Sequence, residues 1–161
     1  MIQIHIRKAG PLDAANIAVL LNEIIAKGGT TAMVRPVLNK EIRKWMTQSN
    51  AVWHLAENDA GTVLGFQWIE PHPDLPDDAT DIASFVKLGQ TGLGIGTALF
   101  EATVKAARSL GYRKIDAIIR ADNLGGLAYY QSRGFETIRL VADTELEDGT
   151  RVDKIWKRFN L

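Results

Sequence analysis

The chain has 161 residues, 46% hydrophobic and 24% charged, and a length of this order holds one globular domain with a substantial core, so a single domain is expected over residues 1–161. Nineteen basic residues balance nineteen acidic ones for a formal charge of zero. That excludes a global field able to recruit nucleic acid, an anionic membrane or a polyanion, and any anion site must be local. Without cysteine there is no disulfide framework, thiolate metal site or cysteine nucleophile, and the composition fits a reducing compartment.

The first ten residues, MIQIHIRKAG, lack the apolar core and small-residue cleavage site of a signal peptide, and no apolar run approaches membrane-spanning length. A soluble, cytoplasmic protein with no membrane contact is expected. Ile2, Ile4 and Ile6 alternate with Gln3, His5 and Arg7, the period of a strand with one buried face. Residues 11–27 read as a helix carrying Leu12, Ala15, Val19 and Ile25 at helical spacing, with Gly28 and Gly29 as its stop. Residues 30–36 are a loop. Residues 39–48 form a second helix, with Asn39 as cap and Ile42, Trp45 and Met46 on one face.

Residues 52–56 and 63–69 flank Asn58-Asp59-Ala60-Gly61, a hairpin signal, and the segment PHPDLPDD that follows is a loop. A short strand is predicted over residues 82–86 and a helix over 94–110, with Ile95, Ala98, Leu99, Ala102 and Ala106 along one stripe and Gly111 as its end. Then come a strand at 114–119, a helix at 124–132, and two late strands around Glu147-Asp148-Gly149-Thr150. The strand, helix, strand unit in the middle implies two parallel strands with a right-handed crossover. Ligands on such sheets sit beyond the carboxyl ends of the strands.

Between the strand ending at Val86 and the helix beginning at Ile95 runs a loop that leads into GQTGLGIGTALF, residues 89–100. A loop in this place lies at a helix N-terminus, where free N–H groups and the helix dipole attract anions, and glycine removes the side chains that would hold a phosphate off those amides. Taken alone, the loop reads equally as a pyrophosphate cradle or as a turn needing several positive φ angles. A Rossmann fingerprint needs glycine where Thr97 stands, and a P-loop needs a Gly-Lys-Ser/Thr ending that is absent. Asp116 lies where a ribose-binding acid would be sought, but its place inside a strand gives it the reading of a solvent-facing residue.

About thirty residues downstream, residues 123–135, NLGGLAYYQSRGF, form a short helix that opens on a capping Asn123 and closes on Gly-Phe. Together the two segments, and the order of elements along essentially the whole chain, resemble the GNAT superfamily of acyl-CoA-dependent N-acyltransferases. The resemblance implies a mixed α/β fold whose mostly antiparallel sheet has a central parallel strand pair flanked by helices. It implies acetyl-CoA as co-substrate and no metal. Its pyrophosphate would lie on the family's Gln/Arg-x-x-Gly-x-Gly/Ala loop. The implied cofactor-binding residues are Phe85, Val86, Thr91, Gly92, Gly94, Ile95, Gly96, Thr97, Asn123 and Tyr130. Thr91 stands at the family's Gln/Arg position and Gln90 one place earlier; a threonine hydroxyl donates a hydrogen bond but cannot wrap a phosphate.

An amine attacking a thioester must lose its ammonium proton, form a stabilised oxyanion and expel a thiolate that becomes protonated. With neither cysteine nor a Ser-His-Asp arrangement, direct transfer is the simpler route. By resemblance, Tyr130 is the acid for the thiolate, a main-chain N–H near Val86 is the oxyanion donor, and Asp81 matches a catalytic Glu of some members. Glu70 and His72 compete for the role of base, a merely solvated carboxylate being the alternative, and Tyr129 reads as packing. Residues 20–46, LLNEIIAKGGTTAMVRPVLNKEIRKWM, resemble phosphinothricin acetyltransferases. That implies an amino-acid-like amine acceptor, with Arg35 either pairing its carboxylate or simply exposed. Trp45, Trp53 and Trp68 line the pocket or pack in the core. The expected activity is acetyl transfer from acetyl-CoA to a small-molecule primary amine. The alternatives are a protein N-terminal or lysine acetyltransferase, and a CoA-binding module without turnover. The resemblance also allows a homodimer paired through the late strands.

Overall fold

The computed structural model describes residues 3–161, so Ile2 of the expected first strand lies outside the described residues. In chain order the elements are β1 (His5–Lys8), α1 (Ala14–Lys27), α2 (Asn39–Met46), β2 (Val52–Glu57), β3 (Val63–Glu70), β4 (Ala79–Val86), α3 (Ile95–Ser109), β5 (Lys114–Arg120), α4 (Leu124–Ser132), β6 (Glu136–Glu145) and β7 (Arg151–Asn160). The strands form one sheet in the order β1-β2-β3-β4-β5-β7-β6. Every adjacent pair is antiparallel except β4–β5, which is parallel. This is the mixed sheet with a central parallel pair anticipated above.

Alternation along the strands divides the core. Trp53, Leu55, Phe66, Trp68 and Phe85 face α1 and α2, where they meet Ile17, Leu21, Ile24 and Ile42. Ile69, Ile82, Ile115 and Ala117 face α3 and α4, where they meet Phe100, Tyr130 and Phe135. Ile4 and Ile6 pack with Ala56, Leu64, Ile95 and Leu99 on this second side, as the expected inward face of the first strand. Among the described residues no helix is long and apolar enough to cross a membrane.

Two helix faces differ from expectation. Residues 11–13 form a separate 3₁₀ turn, stapled by Asp13 accepting the Gly10 N–H at 2.9 Å, and α1 proper begins at Ala14. Leu12 is consequently 99% exposed and Val19 also faces out, while Ala14, Ile17, Ala18, Leu21 and Ile24 are buried. A helix reading AANIAVLLNEII offers apolar residues on several stripes, and the sheet chooses among them. In α3 Ile95 and Leu99 of the expected stripe are buried, but the row continues through Thr103 and Ala107 with Phe100 and not through Ala98, Ala102 and Ala106, because turning Phe100 inward removes more apolar surface than burying those alanines. In α2 the cap is Leu38 rather than Asn39, and the first turn is closed by the Glu41 carboxylate accepting the Leu38 N–H at 2.9 Å. Ile42, Trp45 and Met46 do turn inward.

The tryptophans belong to the core. Trp53 and Trp68 stack with ring centroids 4.1 Å apart and planes within 3°, and Phe66, Phe85 and Trp45 extend the stack at 5.1 to 6.2 Å. Strand β4 begins earlier than its apolar run suggests. Residues 79–81 are already paired with β5, so Asp81 is the strand's third residue and not its opening one.

Candidate active site

The parallel ladder between β4 and β5 runs only from Ala79↔Lys114 to Asp81↔Asp116. Beyond it β4 keeps pairing with β3 as far as Val86, and β5 keeps pairing with β7 as far as Arg120, so a split opens in the sheet. Lys87 N–H donates to Leu64 O at 2.8 Å, which sets the alternation of the antiparallel β3–β4 ladder. Residues two apart then share an orientation, and the amides of Ser84 and Val86 turn away from β3 into the split. An unpaired strand segment of this kind offers donors to a ligand that lies along it. The Val86 amide thus faces the split.

One end of the split meets the glycine loop. Gly94 caps α3 with φ +83°, a left-handed conformation that glycine adopts without steric cost, and a Cβ placed there would meet nothing within 4 Å. The amides of the first turn of α3, residues 95–97, are the free donors of a helix N-terminus. Ile95 contributes only its main chain, its side chain being 1% exposed in the core. Thr91 and Gly92 are exposed on the loop. Gly96 is constrained differently: a Cβ there would stand 2.6 Å from Tyr129 Cε1. Tyr129 donates to Gly96 O at 2.8 Å, so the absent side chain lets α4 dock on the first turn of α3. We expect Gly96→Ala to displace the ring and lower stability by about 1–3 kcal/mol, read as a lower urea midpoint at unchanged slope.

Helix α4 supplies the other wall. Tyr130 is 6% exposed, and its hydroxyl lies within hydrogen-bond reach of Ser84 Oγ at 2.8 Å. Burial holds the Tyr130 hydroxyl well above the ordinary phenol range, so it stays protonated. Ser84 Oγ also accepts from Gln67 Nε2 at 2.8 Å, and Gln67 Nε2 lies 3.1 Å from the Tyr129 hydroxyl. Tyr129 is thus more than the packing residue it resembles in sequence. Asn123 caps α4, with Oδ1 accepting the Gly126 N–H and Nδ2 donating to Thr30 O, both at 3.0 Å. Both ends of its amide are spent inside the protein. Arg133 Nη1 donates to Thr97 Oγ1 at 2.6 Å, bringing a guanidinium to the first turn of α3. Phe85 points its ring into the aromatic stack and away from α3.

On the opposite face of the sheet, register lines up three carboxylates: Glu70 pairs with Asp81, and Asp81 with Asp116. Asp116 is fully buried, contrary to the solvent-facing place its strand position suggests. It is held by Arg158 through two hydrogen bonds of 2.8 Å and by Trp156 Nε1 at 2.8 Å, the pairing a buried charge requires. Among the described residues no side chain hydrogen-bonds to Asp81, although the Ile82 N–H and the more distant Lys154 charge favour its ionised form a little. Burial first, then the neighbouring Glu70 and Asp116 charges, push its carboxyl up to about 7. Glu70 is raised by burial, partly offset by the Trp68 indole. His72 accepts the Asp74 N–H on Nδ1 at 3.1 Å and lies close enough to Glu70 to favour its ionised form. Arg35 is exposed and occupied by Glu41 and Glu147 at 3.2 and 3.1 Å. Among the described residues no group of histidines and carboxylates is arranged to hold a metal ion.

The sequence left Ser84, Gln67 and Arg133 unmarked. A signal for Gln67 existed, since it is the one uncharged polar side chain in the otherwise apolar run VLGFQWI. Ser84 and Arg133 acquire their places only through the packing of α4.

The sequence pattern of the acetyltransferase (GNAT) family matches residues 24–135. An L-methionine sulfoximine/L-methionine sulfone acetyltransferase of Pseudomonas aeruginosa is 26% identical, over 97% of this chain and 94% of its own. A mycothiol acetyltransferase of Kocuria rhizophila is 32% identical over 60% of this chain, which spans only 33% of that relative's length. The crystal structure of a phosphinothricin acetyltransferase from Sinorhizobium meliloti in complex with acetyl-CoA superposes with a TM-score of 0.87 at 22% identity, covering 98% of this chain and 88% of the other. The family pattern extends over more than two thirds of the sequence, from within α1 to the end of the Gly-Phe motif, and takes in both walls of the split; the chain belongs to the acetyltransferase (GNAT) family.

Proposed function

We propose that the chain transfers the acetyl group of acetyl-CoA to the primary amine of a small, amino-acid-like molecule by direct attack in the β4–β5 split. The observation that carries this reading is the split itself. It opens at a half-buried carboxyl, exposes the amides of Ser84 and Val86, has the Tyr130 hydroxyl on its wall, and ends at a helix N-terminus where the space before Gly94 is open. An amino-acid-like acceptor is supported by the name of the Pseudomonas aeruginosa relative, which spans nearly the whole chain.

Acetyl-CoA supplies an activated thioester. The amides of residues 95–97 and the Arg133 guanidinium answer the pyrophosphate charge where Thr91 has no long arm to do so. Asp81 takes a proton from the acceptor nitrogen, which an acid group poised near neutrality does well. The Val86 N–H donates to the acetyl oxygen as negative charge grows on it. The Tyr130 hydroxyl gives its proton to the departing sulfur. Two protons leave an ammonium as it becomes an amide: one is balanced by the thiol formed, and the other departs through Asp81 to solvent. Donor and acceptor enter from opposite faces of the sheet, because Asp81 faces α1 and α2 while Ser84 and Tyr130 lie toward α3 and α4.

Calorimetric titration with acetyl-CoA tests the donor site. Wild type should bind saturably, whereas Gly94→Asp should bind at least about tenfold more weakly, since its carboxylate faces the phosphates; its melting temperature is read alongside, because a side chain at this left-handed position is strained. Equal affinity in the two proteins would remove the loop from the site. A panel of free amino acids and their sulfone and sulfoximine analogues then reads the acceptor.

A further inference from the structure

The hydrogen-bond chain Gly96–Tyr129–Gln67–Ser84–Tyr130 can be solved for the direction of each bond. A carbonyl only accepts, so the Tyr129 hydrogen is committed to Gly96 O. The Tyr129 oxygen is then left as an acceptor toward Gln67, and the Gln67 group facing it must be the amide nitrogen. That nitrogen has two hydrogens, and the second reaches Ser84 Oγ. Ser84 therefore accepts from Gln67 and keeps its own hydrogen free. It can receive the Tyr130 hydrogen, or turn its hydrogen onto the Tyr130 oxygen.

Gln67 is 0% exposed, and its carbonyl oxygen has no partner among the described residues. A buried unpaired carbonyl is destabilising, and a leucine of similar size would avoid the cost. What the amide contributes in return is the orientation of Ser84.

We propose that Ser84, oriented by Gln67, is the positioning residue for Tyr130: it donates to the tyrosine oxygen and so aims the Tyr130 hydrogen into the split. The inference rests on the reading of Tyr130 as the acid that meets the sulfur. When the Tyr130 proton moves to the thiolate, a C–S bond has already broken, and the phenolate left behind receives the Ser84 hydrogen bond until solvent reprotonates it. A hydrogen bond to the charged form favours that form, which is what a deeply buried tyrosine needs in order to release a proton.

The test uses free CoA and requires no acceptor. Ionisation of the bound CoA thiol is followed across pH by thiolate absorbance in wild type, Tyr130→Phe, Ser84→Ala, Ser84→Thr and Gln67→Leu, with CoA affinity by calorimetry and melting temperature alongside. We expect bound CoA in wild type to ionise about tenfold more readily than free CoA, and Tyr130→Phe to abolish the difference. Ser84→Ala and Gln67→Leu should each lose most of it at CoA affinity within about twofold of wild type, Ser84→Thr should keep it, and Gln67→Leu should melt no lower than wild type. Thiol ionisation unchanged in Ser84→Ala and Gln67→Leu but lost in Tyr130→Phe overturns the inference and leaves the acid in place. Ionisation indifferent to Tyr130→Phe, or no binding of CoA by wild type, overturns the inference together with the reading beneath it.

Discussion

Asp81→Asn is expected to slow turnover by about 10²–10³-fold and, unusually for a site substitution, to make the protein more stable at neutral pH. Wild-type kcat/KM should rise with pH and level off above about 7, where Asp81 is ionised and able to accept a proton; the variant should lack that limb. The stability effect follows from the same carboxyl. Its value in the folded protein is about 7 against an ordinary 3.8. Between those values the folded chain holds a proton that the unfolded chain has released, so stability falls as pH rises through this window and stays low above it. Full burial would put the cost of ionisation at about 4 kcal/mol. Asp81 keeps partial solvent contact, and we expect asparagine to recover about 1–2 kcal/mol at pH 8 and almost none at pH 4. Urea unfolding of both proteins at the two pH values measures the difference, and a constant gap across pH would sink the assignment.

Trp68→Ala should have the largest effect on stability. The side chain is 6% exposed and touches Trp45, Trp53, Phe66 and Phe85 in one stack, so its removal leaves a cavity that the flat rings around it cannot close. Truncation of a buried aromatic of this kind costs about 3–5 kcal/mol, a loss of roughly 10 °C in Tm for a chain of this length. Glu70 also loses the Trp68 indole that steadies its carboxylate. Calorimetric melting gives the stability loss. An aromatic-to-alanine change costing less than about 1 kcal/mol would mean that the stack is ornamental to the fold.

Sequence pattern located the strands and helices in order, because β2 to β5 are apolar runs between strong turn signals, α3 is framed by Gly94 and Gly111, and α4 opens on Asn123 and closes before Gly134. It found the buried face of α2, and Ile95 and Leu99 of α3, but missed the buried stripe of α1 and the rest of that of α3. In AANIAVLLNEII and in GTALFEATVKAA the apolar residues outnumber one stripe, and the choice among stripes is made by the sheet through contacts distant in sequence. Tyr130, Gly94 and Gly96 were legible as a motif. Asp81 was legible as a carboxylate, though its burial was not, because that depends on Glu70 and Asp116 arriving beside it through two different strand registers. Asp116 misled for the same reason: a lone acid in a strand looks solvated until Trp156 and Arg158 are brought in by β7.

Among the described residues, the three residue pairs joining β4 to β5 are the one ladder that connects the first four strands with the last three. Across the rest of that seam the described residues offer side chains instead of a ladder, with Tyr129 reaching Gly96 and Tyr130 reaching Ser84. Within the sheet itself the two halves are thus joined by a short zip, and the rest of their union is side-chain packing beneath α3 and α4 with a few hydroxyl and amide bonds, so the cleft is where the backbone ladder is thinnest. Amide exchange should report two blocks opening separately in the empty protein. A long, thin molecule seated along the seam fastens both blocks at once and should merge them into a single exchanging unit, so that the donor substrate acts for a time as the missing rung of the sheet.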